Sequence, residues 1–248
     1  VRFLNLDIQP QPDDTTCGPT CLHAVYRYYG EPLGLHDVIG TVQSLPHGGT
    51  LAVMLACHAL RRGYQATIYT YNLHVFDPSW FTPHPQDVAD KLRAQQAAKR
   101  DPRLDVATEG YLEFLRLGGH VDFRPLTQAF LRELLEHQQP ILTGLSATYL
   151  YQEAREIPET SAPDDVRGFA SGHFVLICGY DQEAEQVWVA DPLHPNPLAP
   201  SHFYSVHVDL LMGAIMLGVM TYDANLLLIG PRRETPRDGA KGVPAWSA

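Results

Sequence analysis

The chain has no cluster of lysine or arginine, no long apolar run, no repeat of fixed period and few cysteines, and each shortage removes a class of protein. With 18 basic against 28 acidic residues the formal net charge is -10, which leaves no basic footprint for nucleic acid or an anionic membrane surface. A membrane helix needs about 20 consecutive apolar residues, and no membrane span of that kind is present. The first residues, Val1-Arg-Phe-Leu-Asn-Leu-Asp7, lack the apolar core of a signal peptide. The missing repeat argues against solenoids and propellers. Four cysteines in 248 residues do not make a disulfide framework, and Cys17 and Cys21, one turn apart on a single helix, are badly placed to bridge. Reduced thiols and a cytoplasmic setting are therefore expected. Twelve histidines show no His-Glu-x-x-His spacing and the cysteines no Cys-x-x-Cys, so neither a metal nor another cofactor is expected.

What is present is a 45% hydrophobic chain, enough for a sizeable core. Phe3 to Ile8 reads as an edge strand or extended arm. Cys21, Leu22, Val25, Tyr26 and Tyr29 repeat at helical spacing up to Gly30, Leu35 to Val42 forms a short amphipathic helix, and Thr50 caps a third helix over Leu51 to Arg62. Gln65 to Tyr71 reads as a strand. Residues 72–125, rich in proline at first, read as a helical insertion with helices at Asp87 to Lys99 and Glu109 to Leu117. A helix at Leu126 to His137 and a strand at Ile141 to Leu145 follow. Residues 146–172 read as one long lid-like loop or a surface insertion. Beyond Asp191 a proline-rich loop leads to a helix at His207 to Leu217 and a strand at Asn225 to Ile229. A single domain over 1–231 with a flexible C-terminal tail at 232–248 is expected.

Two stretches carry chemistry. In Gln11-Pro-Asp-Asp-Thr-Thr-Cys17-Gly-Pro-Thr-Cys21, the proline suits a first helical turn and Thr16 or Cys17 the N-cap. Cys17 then sits at a helix N-terminus, whose exposed N–H groups and dipole stabilise a thiolate, although a lone cysteine also reads as a small buried hydrophobe. Phe174 to Gly179 and Val187 to Ala190 are apolar runs around a polar turn, hence a hairpin. The midpoint of 173 and 191 is 182, inside that turn, so symmetric pairing sets His173 across from Asp191. A thiol, an imidazole and a carboxylate make a Cys-His-Asp nucleophilic site: Cys17 attacks, His173 exchanges the proton, Asp191 orients the ring, and Gln11 donates to the oxyanion.

The blocks Gln11-x-x-x-x-x-Cys17-Gly-Pro, Gly172-His173-Phe-Val-Leu and Val187-Trp-Val-Ala-Asp191-Pro192 resemble the bacterial bacteriocin-processing (double-glycine leader) peptidases, a family of papain-like cysteine peptidases. The resemblance implies an α+β papain-like fold, with a helical half carrying the Cys packed on an antiparallel sheet carrying the His and Asp. It implies catalytic Cys17, His173, Asp191 and Gln11, and cleavage of a peptide or protein substrate after small residues. Association with a separate transporter or a peptide-modifying enzyme fits as well, since family members are usually shorter and fused to a transporter. A transpeptidase or amidase would share the same acyl-enzyme. A non-catalytic papain-like peptide-binding module is the alternative outside enzymology. Gln9 competes with Gln11 for the oxyanion role, and Cys21 reads as packing behind Cys17 or, alternatively, as a resolving thiol. Asp13 and Asp14 read as loop-shaping residues or as a preference for a cationic substrate residue, and Cys57 and Trp188 as core.

Overall fold

In the computed structural model, which describes residues 2–46, 48–158 and 160–231, the chain starts with strand β1 (Arg2–Phe3) and an extended arm. There follow α1 (Cys17–Tyr28), α2 (Leu35–Thr41), α3 (Ala52–Arg61) and β2 (Gln65–Thr70). A 3-10 turn at Pro78–Trp80 leads to α4 (Val88–Lys99), α5 (Pro102–Arg116) and β3 (His120–Asp122). Next come α6 (Gln128–Glu136), β4 (Ile141–Ser146), α7 (Ala147–Tyr151) and a small pair, β5 (Glu156–Ile157) and β6 (Ala162–Pro163). The hairpin β7 (Gly172–Asp181) and β8 (Gln186–Ala190), then β9 (Phe203–His207), α8 (Val208–Leu217), a 3-10 turn at Gly218–Thr221 and β10 (Asn225–Gly230) complete the described chain. The tail expected at 232–248 lies outside the described residues.

The main sheet runs β3-β2-β10-β4-β7-β8-β9, with β1 added to the far end of β7. All its pairs are antiparallel except β2 with β3. This is the α+β architecture expected, with helices on both faces. Side chains alternate along a strand, so β7 sends Phe174, Leu176 and Cys178 into the core shared with α1 and α3, and Val175 and Ile177 into the core shared with α6, α7 and α8. Burial on two sides explains the uninterrupted apolar run. Each such side chain contributes roughly 1.5–3 kcal/mol over an exposed one.

Several elements differ from the sequence reading. Thr50 does not cap α3: the cap position is Leu51, and the Thr50 hydroxyl donates to Gln43 O instead. The helix expected at Glu109 starts at Pro102, because the Asp101 carboxylate accepts from the N–H groups of Arg103 and Leu104 and Pro102 occupies the first turn. The segment 72–125 also carries β3, and its Leu104, Tyr111 and Phe114 are buried in the core of α1 and α3. Segment 146–172 is not one loop: Ser146 accepts from Tyr149 N–H and starts α7. Strand β9 lies inside the stretch read as a proline-rich loop.

The hairpin register is also shifted. Leu176 pairs with Ala190 and Ile177 with Val189, a bulge intervenes at Cys178, and Asp181 pairs with Gln186. Continued outward, that register sets Asp191 across from Val175, two residues beyond His173. A shift of two keeps the same face of the sheet, so His173 and Asp191 meet diagonally instead of directly.

Candidate active site

The loop before α1 is built by its own side chains. Asp13 Oδ1 accepts from Thr15 N–H (2.8 Å) and Thr15 Oγ1 (2.7 Å), and Thr16 Oγ1 donates to Asp13 O (3.0 Å). These bonds hold Asp13 below the ordinary carboxylate range, the Thr15 hydroxyl being the largest influence. The loop-shaping reading of Asp13 thus has a structural basis. Thr16 occupies the cap position but makes no side-chain cap, so the N–H groups of Cys17 and Gly18 have no partner supplied by the helix. A side chain on Gly18 would lie 2.7 Å from Thr50 Cγ2 and 3.1 Å from Phe174 Cδ2. The glycine lets the start of α1 press against the start of β7.

At that junction Cys17 and His173 are both buried, and the Cys17 side chain interacts with the His173 ring. His173 Nε2 meets Asp191 Oδ1 at 2.8 Å, which leaves Nδ1 as the ring nitrogen free to face the thiol. Burial opposes a charge on His173, yet the Asp191 carboxylate, its hydrogen bond and the Cys17 side chain together raise the imidazole well above its usual range. Burial likewise opposes ionisation of Asp191, but His173 together with hydrogen bonds from Tyr204 and Leu193 holds the carboxylate below its usual range. Gly172, before the histidine, has its own reason: a Cβ there would lie 2.6 Å from Thr221 Oγ1.

Asp191 is fully buried and densely bonded. Oδ1 also accepts from Leu193 N–H (2.9 Å), while Oδ2 accepts from Tyr151 Oη and Tyr204 Oη, both at 2.7 Å. Its backbone is pinned by Asp191 N–H to His202 O and by His202 Nδ1 to Asp191 O, each 2.8 Å. Tyr151 and Tyr204 escaped the sequence reading because α7 and β9 did. The alternating Phe203-Tyr-Ser-Val-His207 was the available signal for the second.

Gln11 reaches the same place through the arm, where Leu4 N–H donates to Cys178 O and Gln11 N–H to Pro192 O. Its side-chain Nε2 donates one bond to Asp13 O (2.9 Å), and a second N–H remains on that nitrogen. Gln11, His173 and Tyr151 line one cleft of about 420 Å³, together with Asp14, Glu153 and Glu156. Partial burial, then Asp14 and Glu153, raise the Glu156 carboxyl. A second hollow of about 480 Å³, near His23 and Glu31, shares no residue with it. Behind the site Cys21 is fully buried with its Sγ 3.3 Å from Phe174 O, and burial raises its thiol. Packing is therefore its role.

The arrangement can form a thiolate–imidazolium pair oriented by a buried carboxylate. The Peptidase_C39 like family matches residues 3–201, a span that holds all four of these residues. Among solved structures, a C39-like peptidase from Bacillus anthracis has a TM-score of 0.51 and 14% identity, covering 94% of this chain and 100% of that one. A double glycine motif protease from an AMS/PCAT transporter, crystallised with the leader peptide, has a TM-score of 0.43 and 12% identity, covering 93% and 94%. A search of curated proteins gives no match. With the match running unbroken from the N-terminal arm through the loop after Asp191, the chain belongs to the Peptidase_C39 like family.

Proposed function

We propose that this chain is a cysteine peptidase that hydrolyses a peptide bond through a thioester on Cys17. The observation that carries the reading is the meeting of Cys17, His173 and Asp191 at the junction of α1 and β7. The Cys17 thiolate attacks the scissile carbonyl. His173 gives its proton to the leaving amine as the C–N bond breaks and the thioester forms. Water, deprotonated by His173, then attacks the thioester and restores the thiol. The oxyanion of each step faces the Cys17 N–H and the second N–H of Gln11 Nε2; removing one such donor costs on the order of 3 kcal/mol of transition-state stabilisation. The substrate is a peptide or protein, and a reducing compartment such as the cytoplasm suits a nucleophile that must stay a free thiol. A separate transporter or a peptide-modifying enzyme is proposed as a partner; among the described residues no helix is long and apolar enough to cross a membrane.

Incubation with a thiol-directed peptide electrophile under reducing conditions, followed by mass spectrometry, tests the reading. The adduct is expected on Cys17, which is 8% exposed, and not on Cys21, Cys57 or Cys178, which are 0%, 3% and 0% exposed, and Cys17→Ala should abolish both labelling and turnover. An unlabelled Cys17 sinks the proposal. Release of an amine-capped product in place of the free acid, when an amine is added, would reassign the enzyme as an acyl transferase.

A further inference from the structure

The feature that this mechanism does not consume is the far oxygen of Asp191. A carboxylate that only orients an imidazole needs one oxygen for the ring, and burying its charge costs several kcal/mol unless the remaining lone pairs are satisfied. Here Oδ1 serves His173 Nε2 and Leu193 N–H, and Oδ2 takes two phenols, Tyr151 and Tyr204, at 2.7 Å each. The two tyrosines come from elements far apart in sequence, the last residue of α7 and the second residue of β9. A carboxylate can only accept, so both phenols must donate. All four acceptor positions are then filled, and the carboxylate can neither turn nor take a water.

We propose that Tyr151 and Tyr204 are positioning residues for the peptidase reaction, together clamping Asp191 and dispersing its charge so that His173 remains an imidazolium acidic enough to protonate the leaving amine. The inference rests on the reading of Cys17 and His173 given above. Burial and the neighbouring Asp191 charge push both phenols far above their ordinary range, so they stay neutral donors at any working pH. With both hydroxyls in place the charge on Asp191 is shared over four donors. With one removed, the carboxylate becomes a stronger base and grips the imidazolium proton harder. Tyr151 has a second contact with the site: its ring centroid lies 6.0 Å from that of His173, and it lines the cleft. Among the described residues the other titratable groups against the pair are Cys17 and Cys21 on α1 and His202 before β9, whose Nδ1 meets the Asp191 backbone O; none of them donates to Oδ2.

The test uses the full chain with Tyr151→Phe, Tyr204→Phe and the double variant, each also in an Asp191→Asn background. Phenylalanine keeps the ring packing and removes only the hydroxyl. The readout is the NMR titration of the His173 imidazole, assigned by the signal lost in His173→Gln, alongside kcat and KM on a cleavable peptide. Each single variant should move the His173 titration upward and lower kcat about tenfold with KM little changed, the loss of one charge-assisted hydrogen bond. In the Asp191→Asn background both effects should vanish, because the phenols act only through that carboxylate. If the double variant fails to fold, the single variants give the same comparison. An unmoved His173 titration, or an equal loss with Asn at 191, overturns the proposal. Failure of Cys17 to form an adduct would instead overturn the peptidase reading, since the titration can be read without turnover.

Discussion

At the scale of single residues, the imidazole is the most informative group. His173 is raised because Asp191 and Cys17 outweigh its burial, so its proton is retained as the pH passes the ordinary value of 6.5. The expected profile of kcat/KM therefore shows no fall centred near 6.5, and its alkaline limb lies well above that point; a fluorogenic peptide assayed across pH 5–10 checks this. A limb at about 6.5 would mean that the ion pair is not the working form. Gln11 gives a second prediction. Gln11→Ala should lower kcat by about a hundredfold or more if its free N–H meets the oxyanion, with Cys17 still alkylated by iodoacetamide. Preserved kcat would take the role from Gln11, and Gln9, the other glutamine considered, lines the hollow near His23 instead of the cleft. These residues were legible in the sequence because chemistry restricts them: a thiol before Gly-Pro at a helix start, and a histidine and an aspartate bracketing one hairpin. The hairpin argument reached the correct pair through an inexact register. Beside Asp191 the observed register is displaced by two residues from symmetric pairing, an even number that preserves the face, while the bulge at Cys178 itself inserts one residue nearer the turn.

At the scale of elements, two glycines decide how closely the Cys-bearing helix and the His-bearing strand approach their neighbours. The Gly172 contact with Thr221 means that the strand beginning at Gly172 is shaped by the 3-10 turn at Gly218–Thr221. Gly172→Ala should destabilise the fold by about 1–3 kcal/mol through overpacking and displace His173, lowering turnover as well. Thr221→Ala removes the hydroxyl and methyl that the new Cβ would meet, so the double variant should recover part of both losses. Thermal unfolding and kcat measured on the single and double variants check the coupling; simple additivity would show that the contact is not responsible. The long, strongly patterned elements were readable in advance: α1, α3, α6, β7 and β10 each bury a run that only helical or strand period explains. Those missed were short. Strand β3 has three residues and α7 five, and their positions are set by pairing to β2 and by the Ser146 cap rather than by any pattern of their own. Tyr151 and Tyr204 were lost with α7 and β9, because a role as donor to Asp191 leaves no mark in sequence spacing.

At the scale of the whole molecule, the two cores are joined through a buried carboxylate that the peptidase mechanism does not use. Asp223 lies between the start of α3 and β10, with Oδ1 accepting from Ala52 N–H (3.1 Å) and Asn225 Nδ2 (3.3 Å). Burial pushes its carboxyl up from 3.8 to about 7, against the pull of those two bonds. Between these values the folded chain holds a proton that the unfolded chain has released, so stability falls as pH rises from about 4 to 7 and this contribution is flat above. Other groups act over neighbouring ranges. His173, raised by its partners, loses its contribution as pH climbs from 6.5 through its folded value. His23 and His58, kept neutral chiefly by burial, lose theirs as pH falls through 6.5. Asp191 loses its contribution only in strong acid. A wild-type pH–stability curve therefore mixes opposing slopes, and Asp223 is isolated by difference. Both bonds end on Oδ1, so Asp223→Asn keeps an acceptor oxygen for them, while the amide nitrogen that replaces Oδ2 does not ionise. The gap in Tm between variant and wild type should open in favour of the variant between pH 5 and 8, and be smallest at the acid end. A gap independent of pH would show that Asp223 is not the group whose ionisation strains the joint between the cores.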